Sequence, residues 1–107
     1  MVLVLSTTRF PISKVKEVGK RYLEVAKEFP PDKSLEKVIL QLGTRTIGNE
    51  IEVISLVEVK EGKYEELLER NTKVRLRYAD IEGINFIDGT FLSGVKSLPM
   101  IGLKMPE

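Results

Sequence analysis

Hydrophobic and polar positions change their spacing several times along the chain, and each change marks a predicted element. Residues 2–8 are aliphatic and β-branched, which favours a first strand. From Ser13 onward apolar residues recur at steps of three and four, which predicts an amphipathic helix that Pro30 and Pro31 terminate. The apolar stripe of this helix consists of Val15, Val18, Tyr22, Val25, Ala26 and Phe29.

The remaining chain repeats this alternation of strands and helix. Residues 38–46 and 51–59 predict two antiparallel strands joined by a tight turn at Gly48-Asn49. Helical spacing then predicts a second helix ending at Gly83, although residues 72–78 also alternate as a strand would. Residues 84–92 predict the last strand, in which we interpret Gly89 as a bulge at positive φ, with a separate short hairpin as the alternative. The second helix carries Tyr64, Leu67, Leu68, Asn71, Val74, Tyr78 and Ile81 on its stripe.

The order strand, helix, strand, strand, helix, strand predicts an α+β, ferredoxin-like domain with a four-stranded antiparallel sheet and both helices on one face. The other face of such a sheet should be polar, but Leu3 and Leu5 point opposite to Val2 and Val4. We therefore expect two copies to pair these faces as a homodimer or a higher even oligomer. Residues 1–95 would form the domain, and the apolar tail 96–107 would pack on the partner subunit.

Composition excludes several classes of chemistry and partner. The 17 basic and 16 acidic residues give a net charge of +1, which provides no overall attraction to nucleic acid or to an anionic membrane. Because His and Cys are absent, the chain has no serine–histidine triad, zinc–thiolate site or haem-ligating histidine. We expect no metal, no cofactor, no nucleic-acid or membrane partner and, since no apolar run approaches the length of a membrane span, a cytoplasmic protein.

Four short segments resemble those of a known superfamily. They are Phe10-Pro11, Glu17-Val18-Gly19-Lys20, Val57-Glu58-Val59 and Ile81-Glu82-Gly83-Ile84, the last similar to an Ile-Pro-Gly-Val step that often precedes a final strand. With the element order, they make residues 1–95 resemble the dimeric α+β barrel superfamily. This resemblance implies that two sheets pair into a shared barrel. It implies functions from cofactor-free monooxygenation and lactone isomerisation to ligand sensing and haem handling, and the missing His and Trp argue against haem handling and weaken the monooxygenase interpretation.

Six residues are candidates for contacting a ligand: Arg9, Tyr22, Arg45, Tyr64, Asn71 and Tyr78. The two arginines lie near strand ends, where they could clamp a carboxylate or phosphate, or merely form salt bridges. The tyrosines lie on helix stripes, so their rings should meet the sheet and their hydroxyls a cavity edge, with core packing as the alternative. The amide of Asn71 on an apolar stripe needs a hydrogen-bond partner, either a backbone group or a ligand.

Other polar residues are candidates of lower rank. Glu52 or Glu58 could transfer a proton if burial raised its pKa, although exposure at the sheet edge is the plainer interpretation. Asp88 is interpreted as a turn or bulge residue, and the basic residues between 70 and 77 as a solvated helix face. Our leading hypothesis is a homodimer that binds a small organic molecule between helices and sheet; the alternatives are a cofactor-independent isomerase or monooxygenase and a purely structural assembly module.

Overall fold

Strands and helices alternate along residues 2–106, which are the residues that the computed structural model describes. The strands are β1 (Val2–Pro11), β2 (Glu36–Ile47), β3 (Glu50–Val59) and β4 (Asn85–Leu92). The helices are α1 (Val15–Glu28), α2 (Tyr64–Leu76) and the short α3 (Gly94–Ser97), with 3-10 turns at Ile12–Lys14 and Leu98–Ile101. The structure therefore confirms an α+β chain and adds short helical segments to the predicted order.

The four strands form one antiparallel sheet in the order β2-β3-β1-β4. The long central strand β1 pairs with both β3 and β4, and no residue of β1 between Val2 and Arg9 is out of register with either neighbour. This arrangement is compatible with a ferredoxin-like fold. Strand pairing also brings distant residues side by side, and the register decides which polar groups can meet.

Alternation along the strands divides the sheet into two faces. The helix face includes Val4 and Phe10 of β1 and Val57 and Val59 of β3, and all four side chains are buried. Its buried contacts include Leu67 of α2, which is fully buried against this cluster. The opposite face, here called the open face, carries half-buried or exposed side chains, with Glu52 as its one buried side chain among the described residues.

A second buried cluster joins the end of α2 to α1 and β4. It consists of Val25, Tyr78 and Ile81, with Phe86 packed against them at a centroid distance of 5.8 Å from the Tyr78 ring. Residues 72–76 are helical, which settles the choice between helix and strand in favour of the helix. The predicted end at Gly83 is wrong, because the chain leaves the helix after Leu76 and turns through residues 77–83.

The interpretation of Gly89 as a bulge is also wrong. β4 is one regular strand without a register shift against β1, and Gly89 does not have a positive φ. A Cβ at this position would lie 2.7 Å from Cε2 of Phe91, whose ring lies beside the backbone of Gly89. The glycine is therefore required by the close approach of an aromatic ring rather than by a turn.

Candidate functional site

A cavity of about 460 Å³ lies between the two long helices and the helix face of the sheet. Its wall is mostly apolar and is supplied by α1, α2 and all four strands. The lining residues are Ser6, Thr8, Phe10, Val15, Val18, Gly19, Tyr22, Val25, Ala26, Phe29, Pro31, Glu36, Val38, Gln41, Leu42, Thr44, Ile51, Val53, Ser55, Val57, Arg70, Asn71, Val74, Arg75, Tyr78 and Phe86.

Small side chains at the centre of both layers create this space. Ser6 of β1 and Ser55 of β3 are directly paired on the helix face, where a helix-covered sheet usually carries larger aliphatic residues. Gly19 of α1 lines the opposite wall at a solvent-exposed position, and a Cβ built on it would meet no atom within 4 Å. A glycine in a helix interior destabilises the helix by about 0.5–1 kcal/mol relative to alanine, so this residue leaves usable space unfilled.

Polar groups enter the cavity from both helices. Tyr78 is only 7% exposed, and its hydroxyl makes no hydrogen bond to another residue among 2–106. Burial raises the pKa of this hydroxyl above its ordinary value, and the neighbouring Tyr22 raises it further. The Tyr22 hydroxyl accepts a hydrogen bond of 3.3 Å from Nε2 of Gln41. The amide of Asn71 lines the same cavity and has no hydrogen-bond partner within the described chain.

A carboxyl group lies at one end of the cavity. Burial raises the pKa of Glu36, and the nearby charge of Arg70 offsets part of that effect. Arg70 itself donates to the carbonyl oxygens of Phe29 (2.9 Å) and Pro30, which fixes its guanidinium at the end of α1. Glu36 therefore brings to the cavity wall a carboxyl group that could donate a proton to, or accept one from, a bound molecule.

Strand β2 bends where it borders the cavity. Its register against β3 shifts twice, between Val38 and Leu40 and between Leu40 and Gly43. Leu42 within the second shift has a φ of 55°, a left-handed conformation that is costly for a residue with a branched side chain. The two shifts allow Gln41 and Leu42, which neighbour each other in sequence, both to line the cavity.

The structure brings three of the six candidate ligand residues together in this cavity, namely Tyr22, Asn71 and Tyr78. Tyr64 lies outside it, and its hydroxyl is 2.8 Å from Oγ1 of Thr90 on β4. Sequence reasoning missed Glu36, Gln41 and the paired serines. Only the serines could have been found from the sequence, because they are small polar residues at helix-facing positions of strands that are otherwise aliphatic.

The two arginine candidates lie on the opposite side of the sheet. Arg9 and Arg45 flank Glu52 in register on three neighbouring strands. The Glu52 carboxylate accepts from Nε of Arg9 at 2.8 Å and from Nε of Arg45 at 2.7 Å. Hydrogen bonds from Arg45 and Arg9 hold the pKa of Glu52 below its ordinary value. The predicted edge exposure of Glu52 is therefore wrong, and the condition for its role as a base, a raised pKa, is not met.

The basic residues between 70 and 77 each have a partner and form no free cationic patch. Arg75 donates two hydrogen bonds to the carboxylate of Asp88 on β4. Arg77 does the same to Glu28 at the end of α1. Asp88 thus anchors α2 to the sheet, and the interpretation of Asp88 as a turn or bulge residue is wrong.

Comparisons with known proteins describe the fold only. No protein-family model matches the chain, and no curated protein matches it. Among solved structures it is similar to a de novo designed protein, Foldit4, with a TM-score of 0.52 and 24% identity over 86% of this chain and 97% of the design. Two further matches have lower scores. A formyltetrahydrofolate deformylase from Pseudomonas putida KT2440 has a TM-score of 0.45 and 11% identity over 83% of this chain and 28% of its own.

The other is SnoaB, a cofactor-independent oxygenase from Streptomyces nogalater, with a TM-score of 0.44 and 11% identity over 86% of this chain and 92% of its own. Among residues 2–106 no helix is both long and apolar enough to cross a membrane. The same residues contain no group of three or more acidic side chains arranged to hold a metal ion.

Proposed function

We propose that this protein binds a small, largely apolar organic molecule in the cavity between its helices and its sheet. The observation that carries the proposal is the cavity itself, whose volume of about 460 Å³ falls in the range of small-molecule sites. The space is partly open to solvent, and its lining residues Val15, Val38 and Leu42 are each more than 40% exposed. Apolar side chains left in water lose the stabilisation of burial, which a largely apolar ligand would restore.

The polar groups on the wall suit a ligand with one or two oxygen atoms. The Tyr78 hydroxyl and the Asn71 amide have no protein partner within the described chain, so a ligand carbonyl or hydroxyl would satisfy them. Glu36 supports a second candidate function, a cofactor-independent isomerase or monooxygenase-like enzyme. Its raised pKa would let it exchange a proton with a bound substrate, and turnover would distinguish this enzyme from a binding protein.

We further propose that a second copy of the chain covers the apolar part of the open face, as in a dimeric α+β barrel. The single chain exposes 7534 Å², about 1,500 Å² more than the roughly 6,000 Å² expected for a folded monomer of its mass. A standard interface buries about 800 Å² per partner, so the excess is sufficient for a stable dimer. The apolar C-terminal segment, with exposed Ile101 and Leu103, would add to this interface by packing on the partner.

The apolar part of the open face spans three consecutive rows of cross-strand partners. We call it the open-face patch, and its residues are Leu3, Leu5, Leu40, Ile54, Leu56, Ile87 and Phe91. Ile87 and Phe91 are at least half-exposed in the single chain. A contiguous apolar surface of this kind on a folded monomer marks a site of association.

Naphthol binding, followed by the methyl NMR signals of valines, tests the proposed ligand site. In the wild type, the signals of Val18 and Val53, which line the cavity, should shift saturably with naphthol. Gly19→Leu places a side chain in the empty space and should weaken this binding about tenfold or more, because ligand and side chain compete for one volume. Lys20→Leu adds the same side chain to the exposed side of α1 and should leave binding unchanged.

Two results would contradict the cavity proposal. One is naphthol binding that Gly19→Leu does not weaken. The other is naphthol-induced shifts confined to valines outside the cavity. Native mass spectrometry of the freshly purified protein complements the titration, since it reports the subunit number and any retained small molecule in one measurement.

A further inference from the structure

Four carboxylates among residues 2–106 accept hydrogen bonds from arginine side chains, and one of the four differs in the number of arginines that it binds. Three acidic side chains each accept two hydrogen bonds from the guanidinium of one arginine. These pairs are Arg21–Asp80, Arg75–Asp88 and Arg77–Glu28. Glu52 instead holds two arginines, Arg9 and Arg45, each through Nε alone.

This difference leaves donors and charge without a partner on the open face. A guanidinium carries five N–H groups, and each of these two arginines uses only one of them on Glu52. The terminal Nη groups of Arg9 and Arg45 donate to no other group of the described chain. Two cations and one carboxylate also leave a net charge of +1 within the cluster.

The arrangement is buried at its centre and accessible at its edges. The Glu52 side chain is 7% exposed, whereas those of Arg9 and Arg45 are 40% and 67% exposed. Cross-strand register places Arg45, Glu52 and Arg9 on three adjacent strands, with Asn85 of β4 next to Arg9. A buried carboxylate that fixes two arginines by their Nε atoms orders both forks before any ligand arrives, which reduces the entropy lost on binding.

We propose that this arginine row, formed by Arg9, Glu52 and Arg45, binds one oxyanion through the Nη groups of its two arginines. Arginine forks match the geometry of carboxylate and phosphate oxygens, and charge-assisted hydrogen bonds of this kind are roughly twice as strong as those between neutral groups. The site lies on the opposite side of the sheet from the cavity, so it is independent of the ligand proposed there. It also lies at the hairpin end of the open face, next to the open-face patch.

Glu50 provides an internal control for the direction in which local charge changes the affinity of the arginine row for an anion. It lies two residues before Glu52 on β3, so strand alternation places it on the same face. No ion pair joins it to Arg9 or Arg45 within 4 Å, and its negative charge opposes an incoming anion. Glu50→Gln should therefore tighten anion binding, whereas loss of either arginine should weaken it.

Titration with inorganic phosphate, followed by the Nε–Hε NMR signals of the arginines, tests the proposal. Ionic strength is held constant with sodium chloride, and we expect saturable shifts of the Arg9 and Arg45 signals. Arg45→Gln should weaken the affinity read from Arg9 about tenfold or more, and Glu50→Gln should strengthen it severalfold. Arg77→Gln, which removes an arginine already matched by Glu28, should have no effect.

Acetate in place of phosphate shows whether a planar carboxylate is the preferred ligand. Arg45→Gln is the first variant to use, because the side chain is the more exposed of the two and its loss leaves Glu52 paired with Arg9. Equal shifts of the Arg9, Arg45 and Arg77 signals would mean general screening and would overturn the proposal. Unchanged phosphate affinity in Arg45→Gln would overturn it as well.

Discussion

Pairing of the open faces can be tested at Ile87, whose side chain lies at a corner of the open-face patch, on the edge strand β4. This residue is 56% exposed in the single chain, so Ile87→Lys should not disturb the fold of one subunit. In a two-fold dimer the same substitution occurs on both sides of the interface. The variant therefore acts on association and leaves the subunit core intact.

The loss of dimerisation free energy in Ile87→Lys follows from the side-chain area of Ile87 that the single chain leaves exposed. Full burial of an isoleucine side chain stabilises by about 1.5–3 kcal/mol, and somewhat more than half of that is still available at Ile87. Losing it from both subunits costs about 2 kcal/mol, or roughly thirtyfold in the dissociation constant. Two desolvated lysines add several kcal/mol each, so the dimer should be lost at concentrations where the wild type is fully associated.

Sedimentation velocity over a wide concentration range is the appropriate assay. We expect the wild type to sediment as a dimer of 12.1 kDa chains and Ile87→Lys as a single chain with unchanged circular dichroism. Leu23→Lys is the matched control, because Leu23 is also an exposed aliphatic residue but lies on α1, away from the open face. A wild type that is monomeric at every concentration would refute the argument, as would equal dissociation by Leu23→Lys.

Two further predictions concern stability. Burial raises the pKa of Glu36 in the folded state, so the folded protein holds this proton to a higher pH than the unfolded chain does, and stability should fall as pH rises above the ordinary value of 4.5. Urea unfolding should show that Glu36→Gln removes this part of the pH dependence, so that the variant gains stability relative to the wild type as the pH rises from acid to neutral. A difference in unfolding free energy between wild type and variant that does not change with pH would contradict this prediction. Gly83→Ala should destabilise more than Gly62→Ala, although both glycines have a positive φ near 80°, because only at Gly83 would the new Cβ lie 2.9 Å from Cγ of Pro11. Each variant should lose about 1–2 kcal/mol of stability because alanine is strained in the left-handed conformation. Equal decreases in the melting temperatures of the two variants would contradict the prediction, because they would show that the contact with Pro11 costs nothing.

Local patterns were sufficient to predict the elements of this fold, because period and turn residues are properties of neighbouring positions. The end of α2 shows where that logic fails. Tyr78 and Ile81 are apolar and three residues apart, so they continue the helical spacing of Leu67 and Val74. They belong instead to a turn that packs onto Val25 of α1. A buried turn and the buried stripe of a helix can therefore have the same spacing of apolar residues in the sequence.

The candidate site was predictable only in part, because it depends on register and packing. Tyr22, Asn71 and Tyr78 could be chosen as polar groups on apolar stripes, and they do meet at one cavity. The Glu52 contacts could not be chosen in this way, since Arg9 and Arg45 reach it across two strand pairings that span 43 and 7 residues of sequence. Spacing along the chain does not reveal a partner fixed by sheet register.

The division of the sheet into two faces explains why its strands are apolar on both sides. In β3, Val53 and Ser55 line the cavity while the intervening Ile54 belongs to the open-face patch. Adjacent residues of one strand therefore belong to different surfaces, one that lines the cavity and one that we propose to pair with a second copy. Because the helix face and the open face have only the backbone of the sheet in common, substitutions at Ser55 should act on ligand binding and those at Ile54 on association. A strong effect of Ile54 on naphthol binding would mean that assembly shapes the cavity, which would join the two proposals into one.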